Sequence, residues 1–224
     1  MAGPILYVAE VDYGPEHRAV FEAWYANRHA PDLLRFGSRT VSSYRPKVGG
    51  LAVFNVYQLA DSGVFKTERY KSINPRDAYG ADVRATSAGR KRYQTLYLER
   101  AVLPAPSADD GAAIDADWIS VARFALPESE ESAAVKWAGE LQRELASHGA
   151  KRVRYATRIP ETVGAGSDRP RCILFTEWPT EPPAAADLIA LLHKRFGAAL
   201  ADAEPFVGWR RYPWPDDKAL LALK

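Results

Sequence analysis

The stretch FEAWYANRHAPDLL, residues 21–34, carries more information about this chain than any other. Its aromatic and apolar residues recur at helical spacing, which predicts a helix from about Glu16 to about Ala30. Pro31 disfavours the helical conformation of the residue before it, so the helix is predicted to end there. His29, one of only four histidines, therefore falls in the last helical turn.

The predicted order of secondary-structure elements along the chain is strand, helix, strand, strand, helix, strand, and this order then repeats. Trp24 and Trp137 lie at equivalent points of the two repeats, 113 residues apart, and Pro46 and Pro160 are 114 residues apart. The predicted strands are 5–11, 40–45, 51–59, 93–102, 118–124, 152–158, 172–178 and 206–212, and the predicted helices cover about 16–30, 62–73, 130–147 and 184–203, with a further irregular or helical piece to about 88.

The repeat divides the chain into a first unit at 1–104, a linker at 105–117, a second unit at 118–215 and a tail at 216–224. A βαββαβ unit forms a four-stranded antiparallel sheet with both helices on one face. Two such sheets can bury their bare faces against each other. The predicted fold is therefore α+β, with two tandem ferredoxin-like βαββαβ units forming a barrel within one chain.

The composition excludes several classes of partner. With 224 residues and a net charge of +2, the chain is too weakly basic to predict nucleic-acid binding. No apolar run is long enough to span a membrane, and the N-terminus does not resemble a secretory signal. We therefore predict a cytoplasmic protein whose partner is a small molecule.

The end of the first helix holds the main candidates for catalysis: His29, Asp32 and Tyr25. A helix C-terminus and a nearby carboxylate favour the imidazolium form of His29, whereas burial under Trp24 and Tyr25 opposes it, so the direction of the pKa shift stays open. A histidine with a pKa near neutrality can act as both acid and base. In the alternative interpretation, His29 only caps the helix and pairs with Asp32. Trp24 is a candidate for binding the substrate, and its repeat partner Trp137 favours a core position instead.

Other candidates lie on the strands and in one loop. Asn55 and Tyr57 share one face of a strand, where they could hold a substrate oxygen, although Asn55 could equally bond within the sheet. Tyr7 is a candidate for lining a pocket, and Arg45 could bind a carboxylate or phenolate or form a surface ion pair. Tyr79 lies in a loop rich in Pro, Asp and Gly that could cover the pocket.

The run Trp24-Tyr25, His29 and 31–34 (PDLL), followed by Gly37 and a strand ending in Tyr44-Arg45, resembles the EthD-like branch of the dimeric α+β barrel superfamily. The resemblance implies a ferredoxin-like unit that pairs into a barrel. It also implies acid/base chemistry on a small aromatic or carbonyl-bearing molecule without a metal, although some members bind haem.

The second half departs from this pattern. Gln142 stands at the position equivalent to His29, and Leu145 at the position equivalent to Asp32. If the histidine carries the chemistry, only the first half should be active, and the second half serves as scaffold and lid.

These observations predict a lyase or isomerase without a cofactor, catalysing a dehydration, decarboxylation, cyclisation or isomerisation with His29 as acid/base. The alternative is a non-catalytic binding or accessory protein of a catabolic or biosynthetic pathway. Haem binding is a third alternative, with His193 as a candidate ligand. The chain is expected to be a monomeric pseudo-dimer or a homodimer.

Overall fold

The computed structural model describes residues 2–72, 85, 90–107, 112–161, 163, 167–196 and 205–213. Within these residues, no helix is both long and apolar enough to cross a membrane.

Eight antiparallel strands close into a barrel in the order β1-β3-β2-β8-β5-β7-β6-β4, with β4 pairing back to β1. Strands β1 to β4 are neighbours in the order β4-β1-β3-β2, and strands β5 to β8 in the order β8-β5-β7-β6. The strands are β1 (Ala2–Val11), β2 (Ser38–Val48), β3 (Val53–Asp61), β4 (Arg92–Leu103), β5 (Trp118–Phe124), β6 (Arg152–Arg158), β7 (Cys172–Trp178) and β8 (Pro205–Tyr212).

The helices lie outside the barrel and cover it on two sides. Short 3₁₀ turns occupy Pro15–His17, Ser62–Lys66 and Glu128–Glu130, and a π-helical turn occupies Tyr25–His29. The α-helices are α1 (Arg18–Trp24), α2 (Ala30–Arg35), α3 (Glu68–Lys71), α4 (Glu131–Ala146) and α5 (Ala185–Phe196).

Strand alternation divides the core into three layers. Leu6 and Val8 of β1 point into the barrel, where they pack with Phe54 and Phe175. The alternate residues of the first four strands pack under α1, the π turn and α2. The alternate residues of β5, β6 and β7 pack under α4 and α5. The space inside the barrel is thus separate from the two spaces between sheet and helices.

The part of the linker around Ile114 lies inside one end of the barrel. Ile114 is buried in the interior core, and its carbonyl accepts a hydrogen bond from Ser42 at 2.7 Å. Gln58 donates to the carbonyl of Ala112 and accepts from the N–H of Ile114, both at 2.9 Å. The hydroxyl of Tyr44 donates to the carbonyl of Ala116 at 3.1 Å. Ile114 and Ala116 of the linker are therefore part of the core.

The predicted α+β barrel within one chain is confirmed, and its origin as tandem ferredoxin-like units stays a prediction. The predicted end of the first helix at Ala30 was wrong, because the chain continues helically through Pro31 to Arg35. The N–H of Ala30 donates to the carbonyl of Tyr25, five residues back, and this π turn makes room for the proline ring.

Candidate functional site

A shallow cleft lies between the first helical segment and strands β2, β3 and β8. We call it the first-half cleft. Aromatic rings form one side of it: Tyr13 stacks on Phe21 at 4.6 Å, and Tyr25 meets Tyr212 edge-on at 5.6 Å between ring centroids. The cleft therefore offers flat apolar surfaces of the kind that bind an aromatic molecule.

Tyr25 is the predicted catalytic residue that the structure places in this cleft. Its side chain is buried, and its hydroxyl has no partner in hydrogen-bond geometry among the described residues. The hydroxyl of Tyr57 approaches it. Burial raises the pKa of Tyr25 well above its usual value, so the phenol stays protonated and able to donate. An unpaired buried donor beside a cleft is a feature that a bound ligand would satisfy.

Three buried residues lie in register across neighbouring strands at the cleft, and two of them line it. Asn55 of β3 pairs in register with Ser43 of β2, and Ser43 pairs with Tyr212 of β8. All three are buried, and Ser43 and Tyr212 line the cleft. The Oδ1 atom of Asn55 is buried without a partner within the described residues. The predicted polar strand residue thus lies beside the cleft with unused hydrogen-bonding capacity.

Three charged residues line the opening of the cleft. Glu22 of α1 accepts hydrogen bonds from Arg45 of β2 and from Arg211 of β8, the latter through Nη2 at 2.6 Å and Nε at 2.9 Å. Burial alone would raise the pKa of Glu22, but the bonds from Arg211 and Arg45 outweigh it and hold that pKa below its usual value. The ring of Trp209 lies 4.9 Å from the Arg45 guanidinium. Two guanidinium groups thus share the single carboxylate of Glu22 at this opening.

His29 lies in the π turn, next to the cleft residue Tyr25. Its ring stacks on Trp24 with centroids 4.5 Å apart and lies 5.8 Å from the ring of Tyr25. The side chain is partly buried, and burial lowers its pKa to about 4. His29 is not among the residues that line the first-half cleft.

The environment expected for His29 was wrong in two respects. The helix continues for six more residues, so His29 is not at a helix C-terminus. Asp32 is held by two arginines, Arg28 at 3.3 Å and Arg35 at 3.2 Å, so its charge is already matched. Neither feature therefore favours the imidazolium, and the imidazole is neutral at pH 7.

The other predicted residues lie farther from the opening. The Tyr7 hydroxyl accepts a hydrogen bond from Gln94 at 2.6 Å, and its ring stacks on Tyr57 at 5.1 Å, in the core under the helices. Trp24 is partly buried against the same core. Tyr79 lies outside the described residues.

A second cleft lies between the other sheet and helices α4 and α5. Its lining is mainly aliphatic, with Leu141 and Leu145 of α4 facing Leu188 and Leu191 of α5. We call it the second-half cleft. Among the described residues, those that line it carry no charge, and the activity of the first half alone stays a prediction.

Glu22, Ser43, Arg211 and Tyr212 of the first-half cleft were missed by the sequence reasoning. Arg211 and Glu22 are 189 residues apart, and only barrel closure between β2 and β8 brings them together. Glu22 could have been found, because it lies one helical turn before Tyr25 and Ala26, which also line the cleft.

The fold is similar to that of several solved structures. An anthrone oxidase-like protein is 12% identical over 93% of this chain and 92% of that one, with a TM-score of 0.56. A Lactobacillus acidophilus protein, provisionally described as a monooxygenase, is 12% identical over 93% and 94%, with a TM-score of 0.54. A heme-binding protein from Thermus thermophilus is 12% identical over 94% and 92%, with a TM-score of 0.50.

These similarities define the class of fold, an α+β fold built on a closed barrel of eight antiparallel strands. No protein-family model matches the sequence, and no curated protein matches it either. At this level of identity the neighbours establish the architecture alone. Any chemistry depends on the side chains that line the clefts of this chain.

Haem does not fit the described residues of either cleft. Haem iron needs an axial His, Cys, Met or Tyr ligand. The residues lining the second-half cleft include none of these, and His193 on α5 is exposed. In the first-half cleft, burial raises the pKa of Tyr13 and of Tyr25, which disfavours phenolate ligation. In the described part of the chain, no group of three or more His, Cys, Asp or Glu residues could hold a metal ion.

Proposed function

We propose that this chain is an enzyme that needs no cofactor and transfers a proton on a small aromatic or carbonyl-containing metabolite. The reaction would be of the lyase or isomerase type, and the substrate would bind in the first-half cleft. The observation that carries the proposal is the buried hydroxyl of Tyr25, which has only the Tyr57 hydroxyl near it among the described residues and lies beside a cleft with aromatic walls and an arginine-rich opening.

Each part of the cleft has a role in this proposal. The aromatic rings hold the flat part of the substrate, and Arg45 and Arg211 neutralise a carboxylate or phenolate at the opening. The Tyr25 hydroxyl donates to a substrate oxygen on which charge develops, as an oxyanion donor does. Asn55 could hold a second polar group of the substrate.

His29 is proposed as the proton acceptor. Its lowered pKa of about 4 keeps the imidazole neutral at physiological pH, the form that accepts a proton. Its position in the turn that carries Tyr25 places it beside the cleft rather than in its lining. Asp32, paired with Arg28 and Arg35, has no direct role in this proposal.

The test is to incubate the protein with a panel of hydroxybenzoates, phenols and quinols, without added metal or cofactor, and to detect any product by mass spectrometry. Wild-type protein should form product from at least one of them. Tyr25→Phe and His29→Ala should each lower kcat about 100-fold, whereas His193→Ala, on the exposed face of α5, should not. Wild-type rates in both the Tyr25 and His29 variants would remove the proposal.

The alternative is a non-catalytic carrier that binds its ligand in the same cleft. Glu22 pairs with both arginines at the opening, so their charge there is partly neutralised before a ligand binds. A carrier would bind panel members without forming product at any pH. Haem binding, the third alternative, is tested by adding haem to the protein. A Soret band that forms with wild type and is lost in a histidine variant would show it.

The barrel closes within one chain, so we propose that the active species is a monomeric pseudo-dimer built from two ferredoxin-like units. Sedimentation of the full chain at micromolar concentration would test this.

A further inference from the structure

The amide of Asn55 on β3 is a buried polar group with an unused acceptor. Only 3% of the residue is exposed, and its Oδ1 atom accepts no hydrogen bond from any described residue. A buried acceptor without a donor is costly, and such atoms are rare in folded proteins. A ligand that brought a donor to this atom would remove the cost.

The side chains next to Asn55 in the sheet are short. Asn55 lies in register between Ala9 of β1 and Ser43 of β2, so the three side chains are on the sheet face that packs under the helices. On the helical side, Ala26 of the π turn lines the first-half cleft. Neither Ala9 nor Ser43 is long enough to cover the amide of Asn55.

Asn55 adjoins the inner end of the first-half cleft. Ser43, directly opposite on β2, and Val53, two residues earlier on the same face of β3, both line the cleft. Asn55 lies one position beyond Val53 on that face. A ligand group that extends past Ser43 and Val53 would therefore reach the amide oxygen.

The span from the opening of the cleft to this amide fits one aromatic ring. Arg45, at the opening, and Ser43 both line the cleft and are two residues apart on β2, which separates them by about 7 Å along the strand. A benzene ring with substituents on opposite carbons has a similar length. A carboxylate held by Arg45 would thus place the opposite substituent near Asn55.

The polar groups at the inner end determine which substituent fits. The ring of Tyr25 meets that of Tyr212, which is in register with Ser43, so Tyr25 lies over the same row as Asn55. The Tyr25 hydroxyl can donate a hydrogen bond, and Asn55 Oδ1 can only accept one. A ligand hydroxyl satisfies both, because its oxygen accepts and its hydrogen is donated.

We propose that Asn55 makes the first-half cleft selective for a hydroxyaryl carboxylate, with the carboxylate and the hydroxyl at opposite ends of one aromatic ring. The carboxylate would pair with Arg45 and Arg211, and the hydroxyl would donate to Asn55 Oδ1. Asn55 is then a specificity-determining residue. This inference rests on the proposed function in taking the first-half cleft as the ligand site, and it holds whether or not the ligand is turned over.

Calorimetric titration of the full chain with para-substituted benzoates tests the selectivity without requiring turnover. Wild type should bind para-hydroxybenzoate at least about tenfold more tightly than benzoate, because the amide oxygen gains a donor. The ether oxygen of para-methoxybenzoate accepts but cannot donate, so this probe should bind no more tightly than benzoate.

Two variants assign the preference to the amide. Asn55→Leu has a similar size without the amide, and Asn55→Ala removes the amide without adding bulk. In both, the ratio of the affinities for para-hydroxybenzoate and benzoate should fall to about one.

Thr95→Val is the matched control. Thr95 is likewise a buried strand residue whose Oγ1 has no partner among the described residues, but it lies in register with Val8 and faces the barrel interior. This variant should keep the full preference for the hydroxyl.

The outcomes separate this inference from the proposed function. If wild type binds benzoate without any preference for the hydroxyl, or if both Asn55 variants keep the preference, the inference is wrong and the cleft remains a ligand site. Equal affinities for para-methoxybenzoate and para-hydroxybenzoate would also overturn it, because the amide would then not be the acceptor. Absence of binding by every benzoate would overturn both this inference and the proposed function.

Discussion

The indole of Trp24 stacks on the imidazole of His29 with ring centroids 4.5 Å apart and planes 16° apart, although five residues separate them. In a regular α-helix, side chains five residues apart point about 140° away from each other. The contact therefore depends on the π turn at Tyr25–His29. That turn also carries the buried hydroxyl of Tyr25, and π turns occur frequently at functional sites.

Tyr25→Phe should separate function from stability. The variant loses a hydroxyl that is buried without a partner among the described residues, so the free energy of unfolding should stay within about 1 kcal/mol of wild type or rise. Turnover, or ligand affinity if the protein is a carrier, should fall because the donor to the substrate is missing. Urea unfolding and kcat on the same preparations provide the measurement.

A loss of stability of several kcal/mol in Tyr25→Phe would instead show that the hydroxyl has a structural partner. Tyr70→Phe, on the partly exposed helix α3, is the control, and it should leave both quantities near wild type.

The burial of His29 should make the protein less stable in acid. Its pKa falls from 6.5 to about 4 on folding, so between these values the unfolded chain binds more protons than the folded one. Stability from this group is complete above pH 6.5 and is lost as the pH falls toward 4. The contribution is about 3 kcal/mol at most.

This prediction is checked by measuring how steeply the free energy of unfolding changes with pH from 7 to 4 in wild type and in His29→Gln. The variant should show a shallower slope, whereas His148→Gln, at an exposed position, should not. Equal slopes in wild type and His29→Gln would mean that the imidazole is accessible to water. A rate that needs neutral His29 should likewise be constant from about pH 6 to 8 and fall only below about pH 5.

Much of the fold was predictable because its strands carry local signals. Strands β5, β6 and β7 begin and end at the predicted residues, since runs of β-branched and aromatic residues are bounded there by loop residues. Gly49 and Gly50 both adopt positive φ, which a tight turn between β2 and β3 requires. A Cβ on Gly49 would collide with the carbonyl oxygen of Pro205, so this turn also lies against β8.

The site was less predictable because its parts meet only after the barrel closes. Tyr25 and Arg45 were found from local patterns, and they do lie in one cleft. Arg211 and Tyr212 come from the last strand, and no local signal in the sequence links them to Glu22. The helical pattern also gave no sign of the π turn, because Pro31 normally marks a helix end.

Glu22→Gln should increase affinity for anions at the first-half cleft. Glu22 now accepts bonds from both arginines at the opening, and removing its charge frees Arg45 and Arg211 for a ligand carboxylate. Benzoate should bind about tenfold more tightly to the variant, whereas neutral benzamide should be unaffected. Calorimetric titration of both probes distinguishes charge from shape.

Two controls accompany the Glu22 experiment. Arg211→Gln should weaken benzoate binding, and Glu68→Gln, in an exposed pair with Lys71, should change nothing. If Glu22→Gln and wild type bound benzoate equally, the arginines would not be the anion-binding groups of the cleft.

Ile114→Ala should show that the linker is part of the folding core. The side chain of Ile114 is buried inside the barrel, and its backbone bonds to Ser42 and Gln58. Truncating it leaves a cavity in a closed space that cannot collapse easily, so the free energy of unfolding should fall by about 2–5 kcal/mol. Ala105→Ser, at an exposed position of the same linker, should stay within about 0.5 kcal/mol.

The two linker variants also test how the halves are joined. A connection that only tethers two independently folded halves would tolerate Ile114→Ala at little cost, and the two variants would unfold alike. A linker that fills the barrel end makes both halves depend on it, because Gln58 of the first half and Arg154 of the second both donate to the carbonyl of Ala112. Ile114→Ala should therefore lower the stability of both halves in a single cooperative transition, measured by urea unfolding with fluorescence and circular dichroism in parallel.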